Sequence, residues 1–169
     1  MRTKSLLGVI GIAMASSVVL ISGCGEDDEL EDFTAISAKP AVTSVDADGD
    51  GADVGDYQTF ETTVTKDGKP FGDLYGLKLA VAAPPVDGAP SADLGLFQNQ
   101  LTFVLPDGQI LIAGSQYYTL DGSIPQKSLE GGEYRAIIGG TGAYAGAKGV
   151  LHTTSKPDGR RVQEFDFDD

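Results

Sequence analysis

The sequence predicts an all-β protein that folds as an antiparallel barrel. After residue 24, runs rich in β-branched and aromatic residues follow one another at short spacing, separated by Gly and Pro turns. No stretch in this part shows the 3.6-residue periodicity of an amphipathic helix. A barrel is favoured over a sandwich because closure removes the edges that many exposed strands would leave.

The first residues predict export from the cytoplasm. Arg2 and Lys4 precede a short apolar run that ends in Ile21-Ser22-Gly23-Cys24, a pattern typical of a secretory signal and too short for a stable membrane span. This ending resembles the bacterial lipobox, in which the cysteine thiol receives a diacylglycerol and the chain is cut before it. We therefore interpret residues 1–23 as a lipoprotein signal peptide and Cys24 as the lipid-attachment residue. The alternative is an ordinary signal peptide with a chance cysteine.

Lipidation at Cys24 predicts a protein anchored in the bacterial cell envelope, with its domain outside the cytoplasm. Each buried methylene contributes about 0.8 kcal/mol, so a full set of acyl chains anchors firmly. Gly25 follows the cysteine, which in lipoboxes favours the outer membrane where the host has two membranes. Because Cys24 is the sole cysteine, we expect no internal disulfide.

The charge of the chain is strongly acidic. The net charge is −13, and removal of Arg2 and Lys4 with the signal leaves 10 basic residues against 25 acidic ones, a net charge of −15. Such a chain repels phosphate backbones and anionic lipid surfaces. We therefore predict no nucleic-acid partner and assign the charge mainly to solubility.

The elements follow in order along the mature chain. Residues 24–45 begin with the acidic run "GEDDELED" and are interpreted as a tether that includes a candidate first strand at 30–38, and residues 46–169 as the barrel. "PPVDGAPSADLG" reads as an exposed loop. The remaining strands are expected at 57–65, at 72–83, in a hairpin over 96–118 around Pro106-Asp107-Gly108, at 133–138, at 147–154 and at 160–167.

The segment Asp46-x-Asp48-x-Asp50-Gly51 begins like a calcium loop. The twelfth position of such a loop would be Tyr57 instead of the usual glutamate, and the flanks are not helical. We therefore predict an acidic turn and no metal site, with a weak calcium site as the alternative. His152, the sole histidine, has no second histidine or free cysteine to complete a zinc site. We also predict no cofactor.

The glycine-rich stretch "AIIGGTGAYAGAKG", residues 136–149, poses the question of nucleotide binding. Its G-x-G-x-x-x-G spacing is one residue longer than the dinucleotide fingerprint, and a β-branched run, not a helix, follows it. Tight turns and close backbone approach in a barrel wall also require such glycines. The residues assigned this structural role are Gly139, Gly140, Thr141, Gly142, Tyr144, Gly146 and Gly149.

The same stretch resembles the Gly-Gly-Thr-Gly signature of dirigent proteins and allene oxide cyclases. "VGDYQTF", "FGDLYG" and "LPDGQILIAG" are similar to bacterial members of that group, in the same order, so that the resemblance covers about residues 46–167. It implies an eight-stranded antiparallel barrel with an apolar lumen, often a homotrimer.

In the cyclases of this family a first-strand glutamate and an asparagine act in a largely apolar tunnel. The first strand here offers Glu31, Asp32 or Thr34, the asparagine position corresponds to Thr62, and a common cysteine position corresponds to Lys78. These differences argue against allene oxide cyclase activity. If Phe60 faces the lumen, as the resemblance implies, then Thr62 shares its face.

Two further residues are candidates for the lumen. Lys78 inside an apolar barrel would act as a base or bind a carbonyl or carboxylate; the alternative is that it faces solvent. One of the consecutive residues Tyr117 and Tyr118 is expected to point inward, either to donate a hydrogen bond or to pack, and we take Tyr117 as the candidate. The candidate ligand residues are thus Phe60, Thr62, Lys78 and Tyr117.

Two functions fit this pattern. The first is a binding barrel that holds a small apolar molecule, or steers its cyclisation or coupling by confinement. The second is a non-catalytic envelope protein with a filled barrel, since eight strands enclose a space that side chains can fill.

Overall fold

The computed structural model describes residues 29–89, 91–120 and 132–168, so the predicted signal peptide and Cys24 lie outside the described residues. Within those ranges the chain is all-β, without a helix. None of the described residues forms a helix that is long and apolar enough to cross a membrane. The strands are β1 Phe33–Ser37, β2 Ala41–Val45, β3 Tyr57–Lys66, β4 Lys69–Ala82, β5 Gly95–Leu105, β6 Gly108–Tyr118, β7 Glu133–Gly142, β8 Gly149–Ser155 and β9 Arg161–Phe167.

Eight of these strands close into an antiparallel barrel, which confirms the predicted fold class. From β3 to β9 each strand pairs with the next, and β1 pairs with both β9 and β3 to complete the ring. The ninth strand, β2, extends along β3 beyond the end of β1, with Val45 opposite Tyr57. Between β1 and β2 the break is held by a hydrogen bond of 2.9 Å from Thr62 Oγ1 to the carbonyl of Ala38.

Both β1 and β2 therefore belong to the sheet, although they lie within the stretch 24–45 that the sequence assigns to a tether with a candidate first strand. The sequence predicts β1 but gives no sign of β2. All five β2 side chains are exposed or half-buried, so the strand lacks the alternation that marks a half-buried strand. Within the expected exposed loop, Leu94 is instead buried, with 1% of its surface exposed.

One end of the barrel is filled by apolar side chains. We call it the closed end; there the β3–β4, β5–β6 and β7–β8 turns lie, and Phe33 stacks on Phe165 with ring centroids 4.4 Å apart. Phe165 in turn meets the edge of Phe103 at 4.9 Å. The other buried members of this core are Ala35, Phe60, Val64, Leu74, Leu101, Leu105, Ile110, Ile112, Ile137, Ala147, Leu151 and Phe167.

The glycine-rich segment forms the β7–β8 turn at the closed end. Gly142 has φ +64°, and a Cβ there would lie 2.2 Å from the carbonyl oxygen of Asp107. Gly149 has φ +135°, and a Cβ there would lie 2.1 Å from the carbonyl oxygen of Asp166. Any other L-residue at these two positions would be strained and would collide with backbone, so the glycines serve chain packing. Thr141 Oγ1 accepts a hydrogen bond from the Gln109 backbone N–H at 3.2 Å.

Candidate functional site

Toward the opposite end, the barrel interior changes from apolar to polar. We call this the mouth end; it carries the loop 46–56, the loop 83–94 and the turn 156–160. The inward rows of the strands continue into it, because alternate residues of a strand share one face. The buried polar side chains that they place there, here called the polar layer, are Ser37, Gln58, Lys78, Asn99, Arg135, Thr153 and Gln163.

Arg135 on β7 is the centre of a hydrogen-bond network in the polar layer. Its Nη2 lies 2.5 Å from Glu133 Oε2 and donates to Gln116 Oε1 at 2.6 Å, and its Nη1 donates to Thr153 Oγ1 at 3.2 Å. The Tyr118 hydroxyl donates to the same Gln116 oxygen at 2.5 Å. Charge-assisted bonds of this kind are strong and fix the guanidinium in one orientation.

A chain of side-chain bonds extends the network across β8, β9 and β1. Thr153 Oγ1 donates to Gln163 Oε1 at 2.7 Å, and Gln163 Nε2 donates to Ser37 Oγ at 3.0 Å. All three residues are nearly inaccessible to solvent. The wall on this side of the polar layer is therefore both dry and rigid.

Lys78 on β4 faces the interior, between Gln58 on β3 and Asn99 on β5. Its Nζ lies 4.1 Å from the ring centroid of Tyr118, which places the ammonium over an aromatic face. Burial, together with the nearby Arg161 and Arg135 charges and against the opposing Glu133 charge, lowers the pKa of Lys78 to about 8. The amine is therefore mostly protonated at neutral pH and can exchange a proton just above it.

Two atoms of the polar layer have no hydrogen-bond partner. Asn99 is 1% exposed; its Nδ2 makes one long contact of 3.5 Å to the Phe97 carbonyl, and its Oδ1 makes none. Arg135 is 4% exposed, and its Nε is likewise without a partner. Gly114 is paired with Asn99, and a Cβ there would lie 3.1 Å from Arg135 Cγ. A free acceptor and a free donor thus lie on strands to either side of Gly114, in a region where unsatisfied polar atoms are costly.

A cavity of about 240 Å³ opens at the mouth end beside this layer. Its wall includes Gln58 and Phe97, each on a strand next to that of Lys78, together with Tyr57 and Leu120. Phe97 also packs edge-on against Tyr118, with centroids 5.5 Å apart. The cavity, here called the mouth pocket, meets the polar layer at Gln58.

The sequence candidates lie in different places. Phe60 and Lys78 are buried and face inward, and the Phe60 ring covers Gly76, where a Cβ would lie 2.0 Å from Phe60 Cζ. Thr62 is half-buried, and its hydroxyl bonds to the β1–β2 break. Tyr117 is half-buried on the outer face of β6, whereas its neighbour Tyr118 is the buried, inward-facing tyrosine.

Sequence analysis missed Asn99 and Arg135 as site residues and named Tyr118 only as the alternative to Tyr117. Asn99 alternates with the buried residues Phe97 and Leu101 along β5, and Tyr118 lies on the same face of β6 as the buried residues Ile110 and Ile112. A polar residue within an otherwise apolar period-2 row is the signal that marks Asn99, whereas Arg135 shares its row with Glu133 and has no such signal.

The loop 46–56 brings the predicted acidic turn together at the mouth end. One carboxylate oxygen from each of Asp46, Asp48 and Asp50 lies within 4.8 Å of the others, and Asp48, Asp53 and Asp56 form a second such group. A hydrogen bond with Asp48, together with repulsion from Asp48 and Asp53, raises the pKa of Asp50 to about 6. Asp50 therefore takes up a proton at a higher pH than an isolated aspartate does.

His152 lies apart from these groups, on the outer face of β8. Its Nδ1 lies 2.6 Å from Glu164 Oε2, and its ring stacks on Tyr134 with centroids 4.3 Å apart. The imidazole is thus engaged on the outer surface and does not enter the polar layer.

Fold and site together define a class: a small antiparallel β-barrel with a buried polar layer near its open end. Among solved structures, pyocyanin demethylase is similar over 82% of this chain and all of its own length, at 25% identity and a TM-score of 0.64. A nonspecific heme-binding cyclase that catalyses [4 + 2] cycloaddition during neoabyssomicin biosynthesis is similar at 14% identity and a TM-score of 0.51. The match covers 83% of this chain and 66% of that cyclase.

The Diels-Alderase AbmU from Streptomyces koyangensis is similar at 14% identity and a TM-score of 0.50, over 78% of this chain and 58% of its own length. This chain thus spans less than two thirds of either cyclase. At such identity the two cyclases show the barrel fold alone. No protein-family model matches the chain, and no curated protein matches it.

Proposed function

We propose that the chain is a binding barrel of the group that includes allene oxide cyclases and dirigent proteins, and that it takes a small, mainly apolar molecule through the mouth pocket. The observation that carries the proposal is the pair of unsatisfied buried atoms, Asn99 Oδ1 and Arg135 Nε, inside a network that is otherwise bonded. Buried polar groups are kept without partners at a cost of about 1–3 kcal/mol each, which a ligand's polar group offsets.

The interior residues divide into two roles. Phe97, Tyr57 and Leu120 in the mouth pocket hold the apolar body and exclude water. Asn99 accepts a hydrogen bond from the ligand and Arg135 Nε donates one. Lys78, over the Tyr118 ring, places a proton donor of pKa about 8 beside them, which suits stabilising negative charge that develops on a carbonyl oxygen.

Confinement of a flexible molecule in such a pocket favours one of its conformers, so the same geometry supports steering of a cyclisation or coupling. The neighbours named above, a demethylase and two cycloaddition enzymes, use a barrel of this kind for reactions on small molecules. The second candidate function, a filled structural barrel, is favoured by the closed end, whose aromatic core fills the interior there.

Native mass spectrometry of the chain from residue 25, purified gently from its host, tests the proposal. We expect a retained compound, or one bound from a panel of phenolic and fatty-acid ligands, and weaker binding in Asn99→Leu and Lys78→Met. Gln100→Leu, on the outer face of the same strand as Asn99, is the matched control and leaves binding unchanged. An empty barrel that binds nothing in the panel favours the structural function. The same spectra report whether the protein forms the homotrimer that the family resemblance implies.

We propose further that Cys24 carries the lipid anchor and that the barrel lies in the cell envelope. The support is the lipobox-like ending and the preceding apolar run. Metabolic labelling with an alkyne analogue of palmitate is expected to mark the wild-type protein and not Cys24→Ser. Equal labelling of both would contradict the assignment.

A further inference from the structure

A second cavity, of about 290 Å³, lies outside the barrel interior, between β2 and the β8–β9 turn. Three of the residues around it are cationic: Lys39, Lys156 and Arg161. Pro40, Val42 and Pro157 supply apolar walls. We call this the basic cavity.

The three cations lack acidic partners within the described part of the chain. No carboxylate there lies within 4.0 Å of the charged atoms of Lys39, Lys156 or Arg161. The acid of the same turn, Asp158, is bonded to Arg160, through Nε at 2.7 Å and through the backbone N–H at 3.1 Å. In a chain with 25 acidic residues against 12 basic ones, three unpaired cations around one cavity form a local positive potential.

The cavity walls are held in place by the β8–β9 turn. The Lys156 N–H donates to the Arg160 carbonyl at 2.8 Å, and the Gly159 N–H donates to the Lys156 carbonyl at 3.0 Å. The stem of Lys39 lies against Gly159 so closely that a Cβ there would be 3.0 Å from Lys39 Cδ. The backbone that carries Lys156 is therefore fixed by the turn, and the stem of Lys39 packs against it.

The positive charge of the basic cavity continues toward the barrel interior. Arg161 lies in the same inward row of β9 as Gln163 and is half-buried. Its charge is, after burial, the next cause of the lowered pKa of Lys78. The field from the cavity thus reaches the polar layer.

We infer that the basic cavity binds the anionic oxygen group, carboxylate or phosphate, of a small organic molecule whose apolar body packs on Pro40, Val42 and Pro157. Arginine and lysine recognise both groups through charge-assisted hydrogen bonds, and the proline and valine walls favour a ligand with an apolar portion. The site lies at the rim of the barrel, between β2 and the β8–β9 turn, and binds a different chemical group, so it goes beyond the proposed lumen function.

The test is calorimetric titration of the purified protein at low ionic strength with benzoate, phenyl phosphate, inorganic phosphate and benzyl alcohol. We expect benzoate and phenyl phosphate to bind in a manner that depends on Lys39 and Lys156, the inorganic ion to bind more weakly, and benzyl alcohol to show no binding that depends on these two lysines. Lys39→Gln and Lys156→Gln should each weaken binding by about tenfold, because each removes a charge-assisted hydrogen bond to the anion. Raising the salt concentration to 0.5 M should also weaken anion binding, because the Debye length becomes roughly fivefold shorter than at low ionic strength.

Two other exposed lysines serve as matched controls. Lys69→Gln and Lys148→Gln remove the same charge on β4 and beside the β7–β8 turn, at the closed end, and should leave binding unchanged. Equal weakening by the control variants would show a general charge effect and overturn the site. So would weakening of benzyl alcohol binding by Lys39→Gln and Lys156→Gln, or no binding of any anion. Asn99→Leu separates this site from the lumen, because it should leave benzoate binding at the basic cavity intact.

Discussion

Replacement of Asn99 by leucine should make the protein more stable. The two side chains have the same number of heavy atoms and the same branching, so Leu fits the space with little rearrangement. The change removes a buried acceptor without a partner, which costs about 1–3 kcal/mol, and gives up only one contact of 3.5 Å to the Phe97 carbonyl, at the limit of a hydrogen bond. We expect the free energy of unfolding to rise by about 1–3 kcal/mol, and the Tm by roughly 3 °C per kcal/mol for a domain of this size.

Urea unfolding followed by circular dichroism measures this difference, with Gln100→Leu on the outer face as a control that changes little. Asn99→Val, one atom smaller, guards against a packing clash of the larger leucine. Loss of more than about 1 kcal/mol in both Asn99 variants would refute the reasoning, because it would mean that Asn99 Oδ1 has a partner, such as an ordered water, worth more than its burial costs. A more stable variant that has lost ligand binding would instead identify Asn99 as a residue kept for function.

Three further predictions follow from the same geometry. Gly76→Ala should destabilise the fold by about 2–4 kcal/mol, because its Cβ would overlap the Phe60 ring. Adding Phe60→Leu to this variant should recover part of the loss, as measured by urea unfolding in a double-mutant cycle. Since Lys78 has a folded-state pKa of about 8, below its unfolded value, wild-type stability should rise between about pH 8 and 10 relative to Lys78→Met, by at most about 3 kcal/mol; parallel curves would contradict this. The pH dependence that Asp50 contributes has the opposite sign, because its pKa in the folded state is raised to about 6. The wild type should therefore gain thermal stability as the pH falls from 7 to 5, and Asp50→Asn should gain less. Identical pH profiles of the two proteins would disprove the coupling.

Much of the barrel could be predicted because its strands carry their own signals. β3 alternates cleanly, with Gln58, Phe60 and Val64 buried, and the hairpin of β5 and β6 turns at Pro106-Asp107. β2 could not be predicted, because it joins the sheet through backbone pairing with β3 and buries almost no apolar surface of its own. Its pairing depends on where β1 ends, which is a property of the closed ring.

The site was harder to predict than the fold, for a geometric reason. Alternation alone does not decide which of Tyr117 and Tyr118 points into the barrel. The pairing register and burial along the whole of β6 show that it is Tyr118. The unsatisfied state of Asn99 depends on atoms of several strands at once. The basic cavity joins Lys39 to Lys156, which are far apart in sequence and meet through the pairing of β1 with β9.

The closed end also determines how the molecule is presented. The Phe167 N–H donates to Asp32 Oδ1 at 2.8 Å, and the Asp168 N–H donates to the Lys148 carbonyl at 3.0 Å, so the chain enters and leaves the described barrel at this one end. Asp32 and Asp168, near the two ends of the described barrel, therefore both lie at the pole opposite the mouth pocket. Attachment at the closed end would thus leave the mouth pocket on the far side of the barrel, accessible from solution.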